Sequence, residues 1–521
     1  MSTTRLARRR FVRGAGLGSL GLVGAALVGC SGDDDAVEGS ASATDASGTS
    51  LERQRATFVD SLEPGTYYDG SGGLYAIREG IADGLITVDF DSQFTGGLAD
   101  EWEAPDDLTW RLSLRPGVTF HNGETMTAEH VIANLERLAE SDAGIAAFSG
   151  TAVESDGKHI ELRTAAPLPY MPAILANGLA AIYHPSSFEG DPATSLPIGT
   201  GPFRVTEFRP GDRRTLEAFD GGWHGAPGLA GVDYLVVPEA QTRAAQVRTG
   251  DADIARLVNP EDVPTLEAGD GVTILTTSLP RYRGLFPNVH RGLTQDDRVR
   301  RAIAAAVQRQ PIIDSILEGL SSPQATIFRT DYPWGDPTIT GIPEDLAEAT
   351  KLLAAVGYDA DSPAAITLSS YTQRGELPLM AQVLQQQLQQ VPFAITLDVG
   401  DYTPFETAAI AGDLELMLVA RNPLFLFDPQ GTFESDYATG GSFNLSQYSA
   451  LDAAIAEAAT IVDQAERYAR YREFERQIIE DDIATIALCA YTQIDATRDS
   501  VSGYRPHPTD AIAVHEGITK V

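Results

Sequence analysis

Short apolar strands alternate with an amphipathic helix in the C-terminal half of the chain, and this alternation limits the fold more than any other feature. Strand patterns at 366–369 and 394–397 flank a helical pattern at 377–388. Further one-faced helical patterns lie at 127–138 and 296–307. Strands that alternate with helices of this length are typical of α/β lobes and argue against a helical bundle or an all-β sandwich.

Several helix starts are marked by residues that can cap a first turn. Asp296 precedes the pattern at 296–307, and Asp463 with Glu466 forms a capping box before an aromatic-rich helix. Ser449 with Asp452 repeats the capping-box spacing. We therefore expect a helix to begin at each of these three positions.

The length of the chain, 521 residues, exceeds what one hydrophobic core usually supports and predicts two or three domains. Hydrophobic residues make up 43% and charged residues 21%, which excludes disorder or a coiled coil for the bulk of the chain. The formal net charge is −35. This charge disfavours nucleic acids and anionic membrane surfaces as partners, because both bind basic patches.

The first 30 residues have the pattern of an export signal. Five arginines lie between residues 5 and 13, and residues 14–29 carry no charge. That apolar stretch is short for a membrane span and is typical of a signal peptide. The sequence Arg8-Arg9-Arg10-Phe11 resembles the twin-arginine export motif, and residues 27–30 resemble a lipoprotein lipobox that ends at Cys30.

We therefore predict that residues 1–30 are a twin-arginine lipoprotein signal peptide and that Cys30 becomes the lipidated first residue. The alternative is a cleaved secretory signal with an incidental cysteine. Residues 31–55 are predicted to be a disordered tether, because Ser, Gly, Ala and Thr dominate them. A diacyl anchor holds an acidic protein at a membrane without a basic patch. The other cysteine, Cys489, lies in an apolar run and is expected to be a buried thiol.

The sequence carries no local signature of an enzyme. It has no nucleophile elbow, no Walker loop and no His-Glu-x-x-His motif. Its eight histidines are scattered, and a pair such as His121 and His130 fits no standard metal spacing. We therefore predict no enzyme, no metal site and no cofactor. A secreted hydrolase whose site is assembled from distant residues is the alternative.

Four blocks of sequence resemble the extracytoplasmic solute-binding proteins of peptide- and nickel-type ABC importers. The most specific block comprises residues 98–102 (LADEW), 112–124 (LSLRPGVTFHNGE) and 126–131 (MTAEHV). Within it, His130 stands where the family usually has Asp. The other blocks are residues 197–203 (PIGTGPF) with 223–225 (WHG) and 250–254 (GDADI), residues 297–303 (DRVRRAI), and residues 354–358 (AAVGY).

The resemblance implies an α/β fold of the periplasmic-binding-protein kind, type II, with two lobes around a ligand cleft. Lobe I would comprise residues 56–86, 197–277 and 491–521, with residues 87–196 as an inserted subdomain. Residues 278–490 would form lobe II. Members of the family close about a hinge when ligand binds and present the closed form to a membrane permease.

The resemblance places the ligand-facing loop at residues 419–429. Asp428-Pro429 matches a common Asp-Pro of the family, but Phe425 stands where peptide-binding members carry the Asp that pairs with the α-ammonium group. Arg421 resembles an Arg of nickel-chelate and metallophore binders. A guanidinium suits a carboxylate-rich chelate, because it binds carboxylates bidentately. The alternative is a surface Arg at the end of a strand. The loop has no His or Cys for a bare metal ion, so any metal would arrive chelated.

The remaining candidate ligand contacts come from the same loop and from two other segments implied by the family. They are Asn422, Phe425 and Phe427 in the loop, Tyr67 and Tyr68 near the first strand, and Tyr371 and Arg374 after the strand at 366–369. The two phenylalanines have packing as their alternative role.

These observations together predict a monomeric, lipid-anchored receptor that captures a peptide or peptide-like solute and delivers it to an ABC permease. A receptor for a nickel or metallophore chelate is the alternative within the family. A ligand sensor or scaffold that is not coupled to transport is the alternative outside it.

Overall fold

The computed structural model describes residues 53–61, 67, 72–140, 145–189 and 195–521. The predicted signal peptide, the lipidation residue Cys30, most of the tether and Tyr68 lie outside these residues. Within the described residues, no helix combines the length and the apolar character that a membrane span requires.

Strands and helices alternate through the described chain. In chain order the strands are β1 (Arg55–Asp60), β2 (Ile86–Val88), β3 (Phe94–Gly96), β4 (Ala99–Asp106), β5 (Thr109–Leu114), β6 (Ala152–Ser155), β7 (His159–Arg163), β8 (Phe203–Arg209), β9 (Arg213–Ala218), β10 (Gly231–Val236), β11 (Ile254–Ala255), β12 (Val272–Pro287), β13 (Ala364–Tyr371), β14 (Phe393–Gly400), β15 (Leu416–Arg421), β16 (Ile486–Arg498), β17 (Val501–Ser502) and β18 (Thr519–Lys520). The α-helices are α1 (Gly72–Arg78), α2 (Ala128–Glu140), α3 (Met171–Leu175), α4 (Ala240–Thr249), α5 (Val263–Glu267), α6 (Asp297–Ala306), α7 (Arg309–Ile316), α8 (Leu346–Ala355), α9 (Glu376–Leu388), α10 (Tyr402–Ile410), α11 (Pro429–Thr432), α12 (Asp452–Ala458) and α13 (Gln464–Arg476).

One ten-stranded mixed sheet runs through the molecule in the order β14-β13-β15-β12-β16-β11-β1-β10-β9-β8. We keep the name lobe I for the end with β1 and β8–β11, and lobe II for the end with β13–β15. Helices pack against both ends, for example α4 on β11 and α9 on β13 and β14. This arrangement confirms the predicted α/β class. The domain boundaries drawn from the sequence stay a prediction.

Two long strands, β12 and β16, belong to both lobes. Their antiparallel register runs from Val272 opposite Arg498 to Leu285 opposite Ile486. The register shifts between Leu279 and Tyr282, where Pro280 offers no N–H to the ladder. The strands therefore continue from lobe I into lobe II through an irregular point, which suits a hinge.

A separate antiparallel sheet, β4-β5-β7-β6, lies between β3 and β8 in the chain, within the segment predicted to be the inserted subdomain, and we keep that name for it. Helix α2 packs on it through Val131 and Leu135, which share a buried apolar cluster with Leu112 and Ile160. The one-faced spacing read from the sequence thus buries the predicted side of α2.

The capping predictions have mixed outcomes. Asp296 and Asp463 accept hydrogen bonds from the first turns of α6 and α13, as predicted. The prediction for Ser449 is wrong, because α12 begins at Asp452 and its N-cap position makes no side-chain cap. The Asp452 carboxylate instead accepts the N–H of Thr439 at 2.9 Å, so a long-range contact replaces the local box.

One other local prediction is confirmed, and two glycines meet a requirement of the backbone. Cys489 is a free, buried thiol in β16. Gly117 has a φ of +75°, the left-handed conformation that a tight turn after β5 requires. At Gly199 the need is space, since a Cβ there would lie 2.1 Å from the carbonyl oxygen of Ile81.

Candidate ligand-binding site

The loop after β15 connects lobe II to the inserted subdomain. Strand β15 is buried and pairs with β12, with Arg421 opposite Tyr282. Leu424 then packs in the apolar cluster of lobe II, whereas Leu426 packs in the cluster of the subdomain. The loop ends where the Asp428 carboxylate accepts the N–H of Gln430 at 3.0 Å and so caps α11.

A cavity of about 540 Å³ lies where this loop faces the subdomain. We call it the loop cavity. Its lobe II wall comes from the loop, from the segment at 431–435 and from Ser442 and Phe443. Its subdomain wall comes from residues 145–147. A solute bound there would contact both bodies at once.

Arg421 lines the loop cavity, but its charge is already paired. Its Nε and Nη2 atoms donate to the two carboxylate oxygens of Asp436 at 2.6 and 2.5 Å. Its guanidinium carbon lies 3.7 Å from the centre of the Phe443 ring. Burial opposes the charge of Arg421, but the Asp436 carboxylate more than offsets this and raises the pKa of the guanidinium. A ligand carboxylate must therefore compete with Asp436 for this residue.

Glu434 is an acidic group of the loop cavity that the sequence reading missed. It accepts a hydrogen bond from Gln430 Nε2 at 2.8 Å and another from Tyr170 of the subdomain. Burial raises the pKa of the Glu434 carboxyl, and the nearby Asp428 adds to the shift. No motif marks Glu434; the available signal was its place four residues after Gln430 on the helical segment beyond Asp428-Pro429.

Asn422 lines the loop cavity with an unused acceptor. Its Oδ1 atom is buried and has no hydrogen-bond partner among the described residues. A buried acceptor left unpaired costs about 1–3 kcal/mol, so a ligand N–H that reaches it gains that free energy. Asn422 is thus the predicted site residue with the clearest spare bonding capacity.

The two loop phenylalanines have different environments. Phe425 is 49% exposed and lines the loop cavity, and its backbone carbonyl accepts the Asn177 side-chain N–H of the subdomain at 2.7 Å. Phe427 is 8% exposed and makes edge-on contacts with Phe94, Tyr332 and Trp334. Phe425 offers an apolar surface to a solute, whereas Phe427 is part of a packed aromatic cluster.

The other predicted contacts lie outside the lining of the loop cavity. Tyr67 is 1% exposed in the core of lobe I, and its hydroxyl donates to Glu79 at 2.7 Å. Tyr371 is also buried, and its hydroxyl accepts the N–H of Ala420 at 3.3 Å. Arg374 donates to the Tyr491 hydroxyl at 3.0 Å, close to the hinge. The structure therefore brings Arg421, Asn422 and Phe425 together and leaves these three residues elsewhere.

Comparison with known proteins identifies the family. The family model of bacterial extracellular solute-binding proteins, family 5 (middle region), matches residues 93–444. The chain belongs to this family. It is therefore an extracellular solute-binding protein of the kind that serves ABC importers, as the sequence blocks predicted.

Two relatives and one solved structure illustrate the similarity. The nickel-binding protein NikA of Staphylococcus aureus is 24% identical over 440 residues, 83% of this chain and 87% of that protein. The glutathione-binding protein GsiB of Pectobacterium atrosepticum is 26% identical over 482 residues, 86% of this chain and 90% of that protein. The crystal structure of NikA from Brucella suis in complex with Fe(III)-EDTA matches with a TM-score of 0.82 at 21% identity, covering 90% of this chain and all of that one. This last likeness confirms the predicted two-lobe fold.

Proposed function

We propose that this protein captures a small peptide-like solute in the loop cavity and delivers it to an ABC permease. The observation that carries the proposal is that Asn422 lines this cavity while its buried Oδ1 atom has no hydrogen-bond partner among the described residues. A peptide-like solute supplies the amide or ammonium N–H that this acceptor lacks. The exposed face of Phe425 supports an apolar part of the same solute.

The charges of the loop cavity favour a ligand with a donor group over a carboxylate-rich metal chelate. Among the described lining residues Arg421 is the cation, and Asp436 already neutralises it. Glu434 adds a further acidic group. One relative is named as a nickel-binding protein and another as a glutathione-binding protein. The nickel-chelate alternative therefore enters the test as a competing outcome.

Thermal denaturation with a ligand panel tests this proposal. The panel contains di- to pentapeptides, glutathione and a nickel–histidine chelate. A captured ligand at one hundred times its Kd should stabilise the protein by about 2.7 kcal/mol, which appears as a higher melting temperature. If no member of the panel changes the melting temperature, the proposed capture of a peptide-like solute is wrong.

Asn422→Ala should weaken binding of the peptide-like ligand about tenfold, because the variant removes the acceptor without creating a buried charge. Gln390→Ala, which removes an exposed amide at the end of α9, is the matched control and should leave the Kd unchanged. Titration calorimetry measures both constants. Unaltered peptide affinity in Asn422→Ala would remove the carrying observation, and stabilisation by the nickel chelate alone would favour the alternative receptor.

The proposed delivery to a permease includes the anchor predicted at Cys30. Cys30→Ser should move the protein from the membrane fraction to the soluble extracytoplasmic fraction, because it removes the site of diacyl attachment. Fractionation followed by immunoblotting measures the distribution. A variant that remains with the membrane after washing in high salt would contradict lipid anchoring.

A further inference from the structure

Three side chains of the inserted subdomain and its border converge, although one of them is distant in sequence from the other two. A carboxylate oxygen of Glu124 and one ring nitrogen each of His130 and His184 all lie within 4.8 Å of one another. Glu124 follows β5, His130 lies in the first turn of α2, and His184 precedes a short helical turn at Pro185–Phe188. We call this group the Glu-His-His cluster.

The two imidazole rings present the same nitrogen to one carboxylate. Nε2 of His184 lies 3.0 Å from Glu124 Oε2, and Nε2 of His130 lies 3.5 Å from Glu124 Oε1. The histidine side chains are mostly buried, with 13% and 14% exposed, whereas the Glu124 side chain is 56% exposed. The two imidazole rings are therefore largely buried, and the carboxylate that faces them is exposed to solvent.

Aromatic packing and hydroxyl contacts hold the two imidazole rings in place. The Phe120 ring meets both imidazoles edge-on, with centroids 5.2 Å from His130 and 5.3 Å from His184. Nδ1 of His184 lies 2.7 Å from the Ser186 hydroxyl, and Nδ1 of His130 lies 3.4 Å from the Thr127 hydroxyl. A hydroxyl oxygen that accepts a hydrogen bond from Nδ1–H favours the tautomer whose Nε2 lone pair is free to bind a metal ion.

A backbone contact at each imidazole ring opposes a proton on Nδ1. The N–H groups of Thr127 and Ser186 approach the Nδ1 atoms of His130 and His184 at 3.1 and 3.3 Å. These contacts favour a proton on Nε2, shared with Glu124, when no ion is bound. Metal binding must therefore move each proton from Nε2 to Nδ1. The free-energy cost of this shift lowers the affinity for the metal ion but does not prevent binding.

We propose that the Glu-His-His cluster binds a divalent transition-metal ion, with zinc as its representative. Two imidazoles and one carboxylate suit Zn²⁺, Ni²⁺ or Cu²⁺ and do not suit Mg²⁺ or Ca²⁺, which prefer oxygen ligands. A tetrahedral zinc ion with bonds of about 2.1 Å separates its ligand atoms by about 3.4 Å. The observed spacing requires only small side-chain movements, and water completes the coordination.

The cluster is separate from the loop cavity. The subdomain contributes residues 145–147 to that cavity, and none of the three cluster residues lines it. Metal binding at the cluster is thus a property of the subdomain surface, independent of which solute the protein captures.

Zinc titration of the tag-free, chelator-treated protein tests the proposal by calorimetry. We expect one saturable site per chain for ZnCl₂ and none for MgCl₂. His130→Asn and His184→Asn should each weaken zinc binding at least about tenfold, since each removes one ligand. His159→Asn is the matched control, because His159 pairs with a single carboxylate, Asp156, on the same subdomain at 2.9 Å.

Two outcomes overturn the proposal: no saturable zinc binding up to about 1 mM, or unchanged zinc affinity when His130→Asn and His184→Asn are combined. If the histidine variants do not fold, Glu124→Gln replaces them, because its side chain is largely exposed. It should keep the melting temperature of the metal-free protein and lose at least half of the zinc-induced rise in melting temperature. A full zinc-induced rise in that variant would equally refute the site.

Discussion

Glu475→Gln should raise the stability of the protein by about 2–4 kcal/mol near pH 9 and change it little near pH 4. Glu475 lies in α13 and is 1% exposed. One carboxylate oxygen accepts the N–H of Phe328 at 2.9 Å, whereas the other is buried and has no hydrogen-bond partner within the described part of the chain. Burial raises the pKa of this carboxyl to about 8, although the Phe328 N–H opposes the shift.

The direction of the effect follows from where the proton is held. The folded protein keeps the Glu475 proton up to about pH 8, whereas the unfolded chain releases it near 4.5. The free energy of unfolding therefore falls as pH rises through this window and stays low above it. A glutamine keeps the acceptor for Phe328 and has no proton to lose.

Melting temperatures between about pH 4 and pH 9 measure this effect. Glu473→Gln is the matched control, because Glu473 lies on the same helix with 63% of its side chain exposed. It should shift stability by no more than about 0.5 kcal/mol at any pH. A Glu475→Gln protein whose pH profile parallels the wild type would show that Glu475 is ionised in the folded protein.

Local patterns predicted much of the fold because their causes are local. The helical pattern at 377–388 became α9 at Glu376–Leu388, and the flanking strand patterns became the parallel pair β13 and β14. A capping aspartate such as Asp463 needs only the first turn of its own helix. Ser449 shows the limit of such local patterns. The Asp452 carboxylate accepts the backbone N–H of Thr439, thirteen residues before Asp452, and does not complete a capping box with Ser449.

The site was harder to predict because pairing across the fold decides what a side chain offers. The family pattern placed Arg421 in the ligand-facing loop, and Arg421 lines a cavity, but nothing local indicated that Asp436 neutralises it. Tyr67 is buried inside lobe I, where its hydroxyl donates a hydrogen bond to Glu79. His130 and His184 are 54 positions apart in the sequence, and no spacing rule predicts their contact.

The second large effect on stability is expected at Asp510, whose single carboxylate pairs with three arginines. It contacts Arg78 at 3.0 Å, Arg281 at 3.4 Å and Arg256 at closer range. Asp510 is 2% exposed. Burial alone would raise the pKa of this carboxyl, but the three guanidinium groups together lower it to about 2.

Asp510→Asn should destabilise the protein by about 3–5 kcal/mol near pH 7, because it leaves buried guanidinium charge without its counter-ion. Arg256, which is 1% exposed, would then keep Asp60 at 3.0 Å as its one paired carboxylate among the described residues. Asparagine preserves the shape of the side chain and tolerates the left-handed backbone at Asp510, where φ is +59°. The substitution therefore isolates the charge.

The pH dependence has the opposite sign to that of Glu475. Asp510 is ionised in the folded protein down to about pH 2, whereas an unfolded aspartate protonates near 3.8. Its contribution to stability is fully present above about pH 4 and disappears as pH falls toward 2. The gap between wild type and Asp510→Asn in chemical denaturation should therefore be constant from about pH 8 to 5 and shrink below 4.

The matched control is Asp413→Asn, which removes an aspartate 3.5 Å from Arg291 that has 67% of its side chain exposed. It should change stability by at most about 0.5 kcal/mol.

Arg281 lies at the register shift of β12, so the cluster of Asp510 and its three arginines also holds the point where the long strand leaves lobe I. Equal stability of Asp510→Asn and wild type near pH 7 would mean that solvent, rather than Asp510, balances these arginines, and would remove the cluster as an anchor of the hinge.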